Sequence, residues 1–337
     1  MLKFLITLIL IFAALFVLLY FLANPSGGLT SYVSKSEKGV ERTVSKGDTL
    51  TILTFNMAYG YGIGSDGVGY EPKPKDLIYE RLKNIALLIN DSKADIVLLQ
   101  EVDFNASRSG NRDQVDFLLD LIDLKYATSA ISWDARYVPF PYLPVSRHFG
   151  KVKSGGAILS RFPITDQKTE FLPKPNSNPW YYNWFYLHRY IQKANIDFGF
   201  KTYSLFNVHL EAFDITNKKN QANKLKEMVS SESDLLLFGG DFNSLPPYAS
   251  KISNFDDEYG DDYSGDSTQT IIRSIPGYFE PIQPEASEAD YFTFPPLKPN
   301  RQLDFLFVRD TVKTIEYKVV NTGDLSDHRP ILLQIIL

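Results

Sequence analysis

The sequence predicts an α+β fold in which two packed sheets carry helices on their outer faces, behind one N-terminal membrane helix. Three observations lead there. Apolar runs of β-type recur along the chain, and each hands over to an Asp, Asn, Glu or His. Stretches with apolar residues at helical spacing lie between those runs. The first residues form an apolar stretch of their own, without a charge after Lys3.

Phe4 to Ala23 have about the length needed to cross a bilayer. Phe21-Leu22-Ala23 lacks the first small residue of a cleavage site, so residues 1–23 are expected to be an uncleaved signal anchor; secretion after cleavage is the alternative. Lys3 and the amino terminus favour an inside N-terminus and an extracytoplasmic body, although Lys35, Lys38 and Arg42 lie not far beyond the span. Residues 24–48, rich in Pro, Gly, Ser and mixed charge, have the composition of a linker. Residues 49–337 are left as one large domain.

Thr51-Ile52-Leu53-Thr54-Phe55 alternates and is β-branched, so it is a strand, and it delivers Asn56. Asp95-Ile96-Val97-Leu98-Leu99 has the pattern of a buried strand and delivers Gln100-Glu101. Tyr203 to Val208 deliver His209. Asp234 to Phe238 deliver Gly239-Gly240-Asp241-Phe242-Asn243. Gln302 to Val308 carry Asp304 between apolar neighbours, and Lys318-Val319-Val320 shortly precede Asp327-His328. Helical stripes run through 76–92 (Leu82, Ile85), 112–123 (Val115, Leu118) and 216–231 (Ala222, Leu225), the last with Thr216 as its expected N-cap. The polar residues are dominated by oxygen ligands, with no Cys and four His, which suits Mg²⁺ or Mn²⁺ better than Zn²⁺. With no Cys, a disulfide scaffold is excluded.

TFNMAYG, LLQEVD, SGGAILSRFPI, NVHLEA, GGDFNS, RQLDFLFV and SDHRP follow one another in this order. Together they resemble the endonuclease/exonuclease/phosphatase superfamily over about residues 49–337. That is the metal-dependent fold of deoxyribonuclease I, apurinic endonucleases, inositol polyphosphate 5-phosphatases and neutral sphingomyelinases. The resemblance implies a four-layer αββα sandwich of two mixed sheets. It implies that Glu101 binds the metal, with Asn56 and Asp327 completing or supporting that site. Asp241 and Asn243 would position and polarise water. His328 would touch the phosphoryl group or take a proton, with Asp304 holding its imidazole, and His209 would stabilise the charged phosphorus or the leaving oxygen. The resemblance leaves the base open between Asp241 and His328. Some relatives have a second acidic residue two positions after the first Asn; Ala58 stands here, which favours one metal over two.

The expected activity is hydrolysis of a phosphodiester by direct water attack, since no Ser or Cys nucleophile motif is present. Nucleic acid and a phospholipid headgroup are the candidate substrates; a monoester phosphatase and a non-catalytic module are the alternatives. The formal net charge of −5 argues mildly against tight non-specific binding of nucleic acid. Asp256, Asp257, Glu258, Asp261, Asp262 and Asp266 suggest a solvated acidic loop or a cation site. Gly60 to Gly69 have the composition of a mobile surface loop or a phosphate approach. Residues 136–153 carry Arg136, Arg147, Lys151 and Lys153. Residues 173–190, with Trp180 and Trp184, suggest a hydrophobic flap, a base-stacking edge or a lipid contact. His148 and His188 are expected in loops.

Overall fold

The apolar runs marked as strands are buried on both faces, and a computed structural model of the chain shows what covers each face. The structure describes residues 1–24, 27–62, 73–257 and 261–337; most of Gly60–Gly69 and Glu258 fall outside them. The chain runs α1 (Leu2–Ala23), β1 (Thr30–Lys35), β2 (Thr49–Asn56), α2 (Lys75–Asp91), β3 (Ile96–Asp103), α3 (Gln114–Leu119), β4 (Tyr126–Val138), β5 (Gly150–Ser160), β6 (Ile164–Phe171), α4 (Trp180–Phe185), β7 (Tyr190–Asp197), β8 (Thr202–His209), α5 (Ile215–Ser231), β9 (Leu235–Asp241), α6 (Thr268–Arg273), β10 (Tyr278–Phe279), β11 (Asp304–Arg309), β12 (Lys313–Val319) and β13 (Ile331–Ile336).

Among the described residues the strands form two mixed sheets, ordered β1-β4-β5-β3-β2-β13-β12 and β10-β11-β9-β8-β7-β6. Alternation assigns the side chains to layers. Leu53 and Phe55 of β2 and Val97 and Leu99 of β3 pack with Ile78, Leu82 and Ile85 of α2. Leu50, Ile52, Ile96 and Leu98 point the other way and meet Leu205, Leu306 and Val308 of the second sheet. Phe206, Phe305 and Phe307 lie on that sheet's far face, under Ala222 and Leu225 of α5. Helix, sheet, sheet, helix is the four-layer sandwich that the resemblance implies.

Two pairs are parallel, β2 with β3 and β8 with β9. Each is joined through a 17-residue helix, α2 and α5 respectively. These crossovers bring the carboxyl ends of β2, β3, β8 and β9 to a common edge. Asn56, Glu101, His209 and Asp241 are the residues there.

Three expectations need correction. Residues 24–48 are not simply a linker. β1 pairs antiparallel with β4, and the Tyr32 hydroxyl donates to Asp113 at 3.2 Å. Arg42 pairs with Asp95 at 2.7 Å. Six residues of alternating exposure suffice for an edge strand, and the surrounding Gly and Ser conceal them. The N-cap of α5 is Asp214 rather than Thr216: its carboxylate accepts from the Asn217 amide at 2.7 Å, because the helix starts two residues earlier than a Thr216 cap would have it. Asp327 and His328 stand in the loop between β12 and β13, and Asp304 opens β11 rather than lying inside it.

Gly240 sits where β9 meets its neighbours, with φ +139° and a Cβ position 2.1 Å from the Val208 carbonyl oxygen. No side chain fits there without moving backbone. Gly240→Ala is expected to destabilise the fold by about 3 kcal/mol, measured by urea unfolding; a loss below about 0.5 kcal/mol would refute this packing.

Candidate active site

β-sheet register sets out the first part of the site. Tyr190 pairs with His209, His209 with Asp241, and Asp241 with Asp304. These four residues form one row across β7, β8, β9 and β11, and cross-strand partners share a face. The other sheet supplies Asn56 from the end of β2. Its Nδ2 donates to Asp241 Oδ2 at 3.0 Å across the gap between the sheets. Its Oδ1 accepts the Ala58 amide at 3.1 Å, so Asn56 holds Asp241 and the first turn together. The Asn243 amide donates to Asp241 Oδ1 at 2.9 Å. Both Asp241 oxygens are thereby oriented, and each retains a free lone pair.

Asn243 itself has φ +49°. Its Nδ2 donates to the Leu210 carbonyl at 3.0 Å, and its carbonyl accepts from the buried Lys218 ammonium. Glu101 also has a left-handed backbone, φ +54°, at the point where the β3–β5 register shifts between Leu99 and Val102. That irregularity turns Glu101 out of the sheet and into the cavity, a use of local strain common at functional sites.

Asp304 and His328 form a buried pair, Oδ2 to Nδ1 at 2.7 Å. The Phe294 ring covers the imidazole at 5.0 Å between centroids. His328 Nε2 then faces Asp241 Oδ2 at 3.9 Å. Burial alone would push His328 down, but the carboxylates of Asp304, Asp241 and Asp327 outweigh it and hold it well above the usual imidazole range. His209 goes the other way. Burial, then the Arg189 guanidinium and His328, push it well below that range. Arg189 Nη1 contacts His209 Nε2. A guanidinium only donates, so His209 accepts at Nε2 and carries its proton on Nδ1. His209 Nε2 lies 3.5 Å from Asp241 Oδ2 and 3.9 Å from Glu101 Oε1.

The structure thus brings all eight expected residues, Asn56, Glu101, His209, Asp241, Asn243, Asp304, Asp327 and His328, to one region, and five of them, Glu101, Asp241, Asn243, Asp327 and His328, line one cavity. Sequence reading missed Arg189, which is buried with its Nε unpartnered and reaches the cavity beside His209. It also missed Lys218, which pairs with Asp266 at 3.2 Å. Nothing in the local pattern around Arg189 distinguishes it; only the pairing of Tyr190 with His209 places it. The acidic stretch is not wholly solvated: besides Asp266, Asp257 pairs with buried Arg301 at 2.8 Å. His148 and His188 lie in loops, next to the Tyr137 hydroxyl and the Leu172 carbonyl.

Among the described residues, two groupings suit a cation. The ligand atoms of Asp241, Asp304 and His328 lie within 4.8 Å of one another, but His328 Nδ1 and Asp304 Oδ2 already satisfy each other. The second is Glu101 with Asp327. Burial, then repulsion by Asp327, pushes the Glu101 carboxyl up to about 7. A cation relieves both causes, so this oxygen-rich corner fits a hard divalent metal.

A family model described as Endonuclease/Exonuclease/phosphatase family matches residues 53–328. No curated protein matches the chain. Several solved structures share the fold. A mannosyl-6-phosphatase from Bacteroides thetaiotaomicron VPI-5482 is 16% identical, with TM-score 0.56 over 86% of this chain and 100% of that one. An endonuclease/exonuclease/phosphatase from Bacteroides vulgatus is 17% identical, with TM-score 0.57 over 86% and 99%. Truncated TDP2 from Caenorhabditis elegans is 16% identical, with TM-score 0.52 over 86% and 98%.

In metal-free protein at pH 7.5, His328 is expected to be doubly protonated and His209 neutral. The raised value keeps the His328 proton as pH climbs past the free-imidazole range, whereas the depressed one releases the His209 proton well before it. Imidazole ¹⁵N spectra across a pH series check this; a neutral His328 at pH 7.5 would contradict the charge arrangement.

Proposed function

Because the chain belongs to the Endonuclease/Exonuclease/phosphatase family of hydrolytic phosphoesterases, we propose that it hydrolyses a phosphodiester by direct attack of water, with Mg²⁺ or Mn²⁺ as its cofactor. The observation that supports this most directly is the convergence on Asp241. Two sheets, one loop and both functional imidazoles meet at a single carboxylate whose oxygens are held by Asn56 and the Asn243 amide.

Glu101 would hold the cation, with Asp327 beside it and Asn56 behind. When bound, the ion neutralises charge on a non-bridging phosphoryl oxygen. The remaining work falls to the chain. Asp241, fixed at both oxygens, takes a proton from the attacking water. His328, charged and braced by Asp304, donates to the phosphoryl group, which disfavours it as the base. Arg189 presents positive charge on the opposite side, beside a neutral His209 that it orients. In this reading Arg189, rather than His209 alone, stabilises charge developing in the transition state. Asn243 shapes the turn after β9 with one Nδ2–H on the Leu210 carbonyl, which leaves the second N–H of that amide for water.

We also assign α1 the role of an uncleaved anchor that keeps the domain at a membrane. It is 22 residues long and, by length and composition, suited to cross one.

With bis(p-nitrophenyl) phosphate as substrate, Asp241→Ala and His328→Ala are each expected to lower kcat by about 10³-fold, and Arg189→Met by about 10²-fold. EDTA should abolish turnover and Mg²⁺ restore it. A folded Asp241→Ala protein with near-wild-type kcat, or turnover indifferent to EDTA, would sink this reading.

A further inference from the structure

The cavity that Glu101, Asp241 and His328 line has a volume of about 870 Å³, and Leu19 of α1 is among its lining residues. A helix that merely tethered the domain would not line its catalytic cavity. α1 is instead packed onto the body. Phe16 lies 5.1 Å from Trp184 and 6.0 Å from Trp180 between ring centroids, and Tyr20 lies 5.5 Å from Trp184. Arg136 of β4 donates to the Phe21 carbonyl at 3.0 Å and the Asn24 carbonyl at 2.5 Å. A cation on these last carbonyls caps the helix and opposes its dipole.

The depth follows from helix geometry. Twenty-two residues rise about 33 Å, close to the hydrocarbon thickness of a bilayer. Leu19 lies about 6 Å below the helix's C-terminal end, and Phe16 about 10 Å. If α1 spans the membrane, α4 and the mouth of the cavity therefore sit in the headgroup and upper acyl layer. The sequence around the mouth suits that position. Leu143 is 81% exposed, Phe213 78% and Trp180 60%. Large apolar side chains so exposed, with Trp and Tyr among them, match an interfacial layer.

We propose that this rim, formed by α4, the 139–145 loop and the end of α1, docks into the bilayer that holds α1. The cavity then takes an amphiphilic phosphodiester lipid from that leaflet. The phosphate goes to the Glu101–Asp241–His328 end, and the acyl chains lie along the wall formed by Leu19, Phe140, Trp184 and Phe185. The substrate part rests on the phosphodiesterase reading above; the docking part does not.

The chain has no Cys, so Leu143→Cys in the full-length protein gives a single site for a nitroxide label. In phosphatidylcholine–phosphatidylglycerol vesicles the label should be accessible to oxygen and shielded from a water-soluble nickel chelate. Shielding no greater than that of a label at Leu121, behind α3, would overturn docking. For the cavity, diheptanoylphosphatidylcholine below its micellar concentration should inhibit bis(p-nitrophenyl) phosphate hydrolysis at a concentration at least about tenfold lower than glycerophosphocholine, because its chains are buried. Equal inhibition overturns the lipid assignment while leaving the phosphodiesterase reading intact. A shielded label without any hydrolysis of bis(p-nitrophenyl) phosphate would do the reverse: docking stands and the catalytic reading fails.

Discussion

The Asp241 carboxylate is the point on which the site depends, and the packing of the two sheets decides where it lies. Asn56 comes from one sheet and Asp241 from the other, yet they share a hydrogen bond of 3.0 Å. That closeness needs a thin, well-satisfied seam. Gln100 donates to Asn207 at 2.7 Å, and Asn207 returns Nδ2 to the Leu99 carbonyl at 2.9 Å and to Gln192 at 3.1 Å. A buried amide network of this kind, with its members largely paired, fixes register more sharply than apolar contacts do. Gly156 adds to it by leaving room for the Tyr190 ring, whose hydroxyl would lie 2.0 Å from any Cβ there.

Charge accounts for the next level. Five carboxylates, from Glu101, Asp241, Asp304, Asp327 and Glu211, are gathered near Arg189, the His328 imidazole held in its charged form, and the buried Lys218 ammonium, the last already paired with Asp266. Glu211 is tied to the Tyr186 hydroxyl at 2.6 Å, and Asp304 to His328. Burial first and repulsion by Asp327 second push the Glu101 carboxyl up, and Arg189 and His328 offset this only in part. In a desolvated cavity such an imbalance costs more than it would in water, which is why the Glu101–Asp327 corner, rather than the satisfied Asp304–His328 pair, is proposed to hold the cation.

Much of this was legible in the sequence because a strand's chemistry can be read from its end. The runs before Asn56, Glu101, His209 and Asp241 are β-branched or continuously apolar, and the parallel crossovers bring such ends together. What escaped was whatever depends on pairing between distant segments. Arg189 precedes β7 in an aromatic stretch with no motif, and only its neighbour's register against His209 brings it to the site. β1 hid in a stretch with linker composition. The bulge at Glu101 leaves no mark in LLQEVD, which continues as a strand on both sides. The contact of α1 with α4 joins residues more than 160 positions apart, and each segment alone has several plausible uses.

The fold therefore brings an N-terminal apolar helix, an aromatic rim and a carboxylate cluster to one continuous cavity, with Arg189 and His328 on opposite flanks of Asp241. The central claim is the place of the cation, and diffraction from Mn²⁺-soaked crystals on both sides of the manganese absorption edge tests it most directly. The account predicts an anomalous peak at the Glu101 carboxylate, near Asp327, with the Asp304–His328 hydrogen bond intact. A peak enclosed by Asp241, Asp304 and His328, or no peak in a folded and soaked crystal, would contradict it.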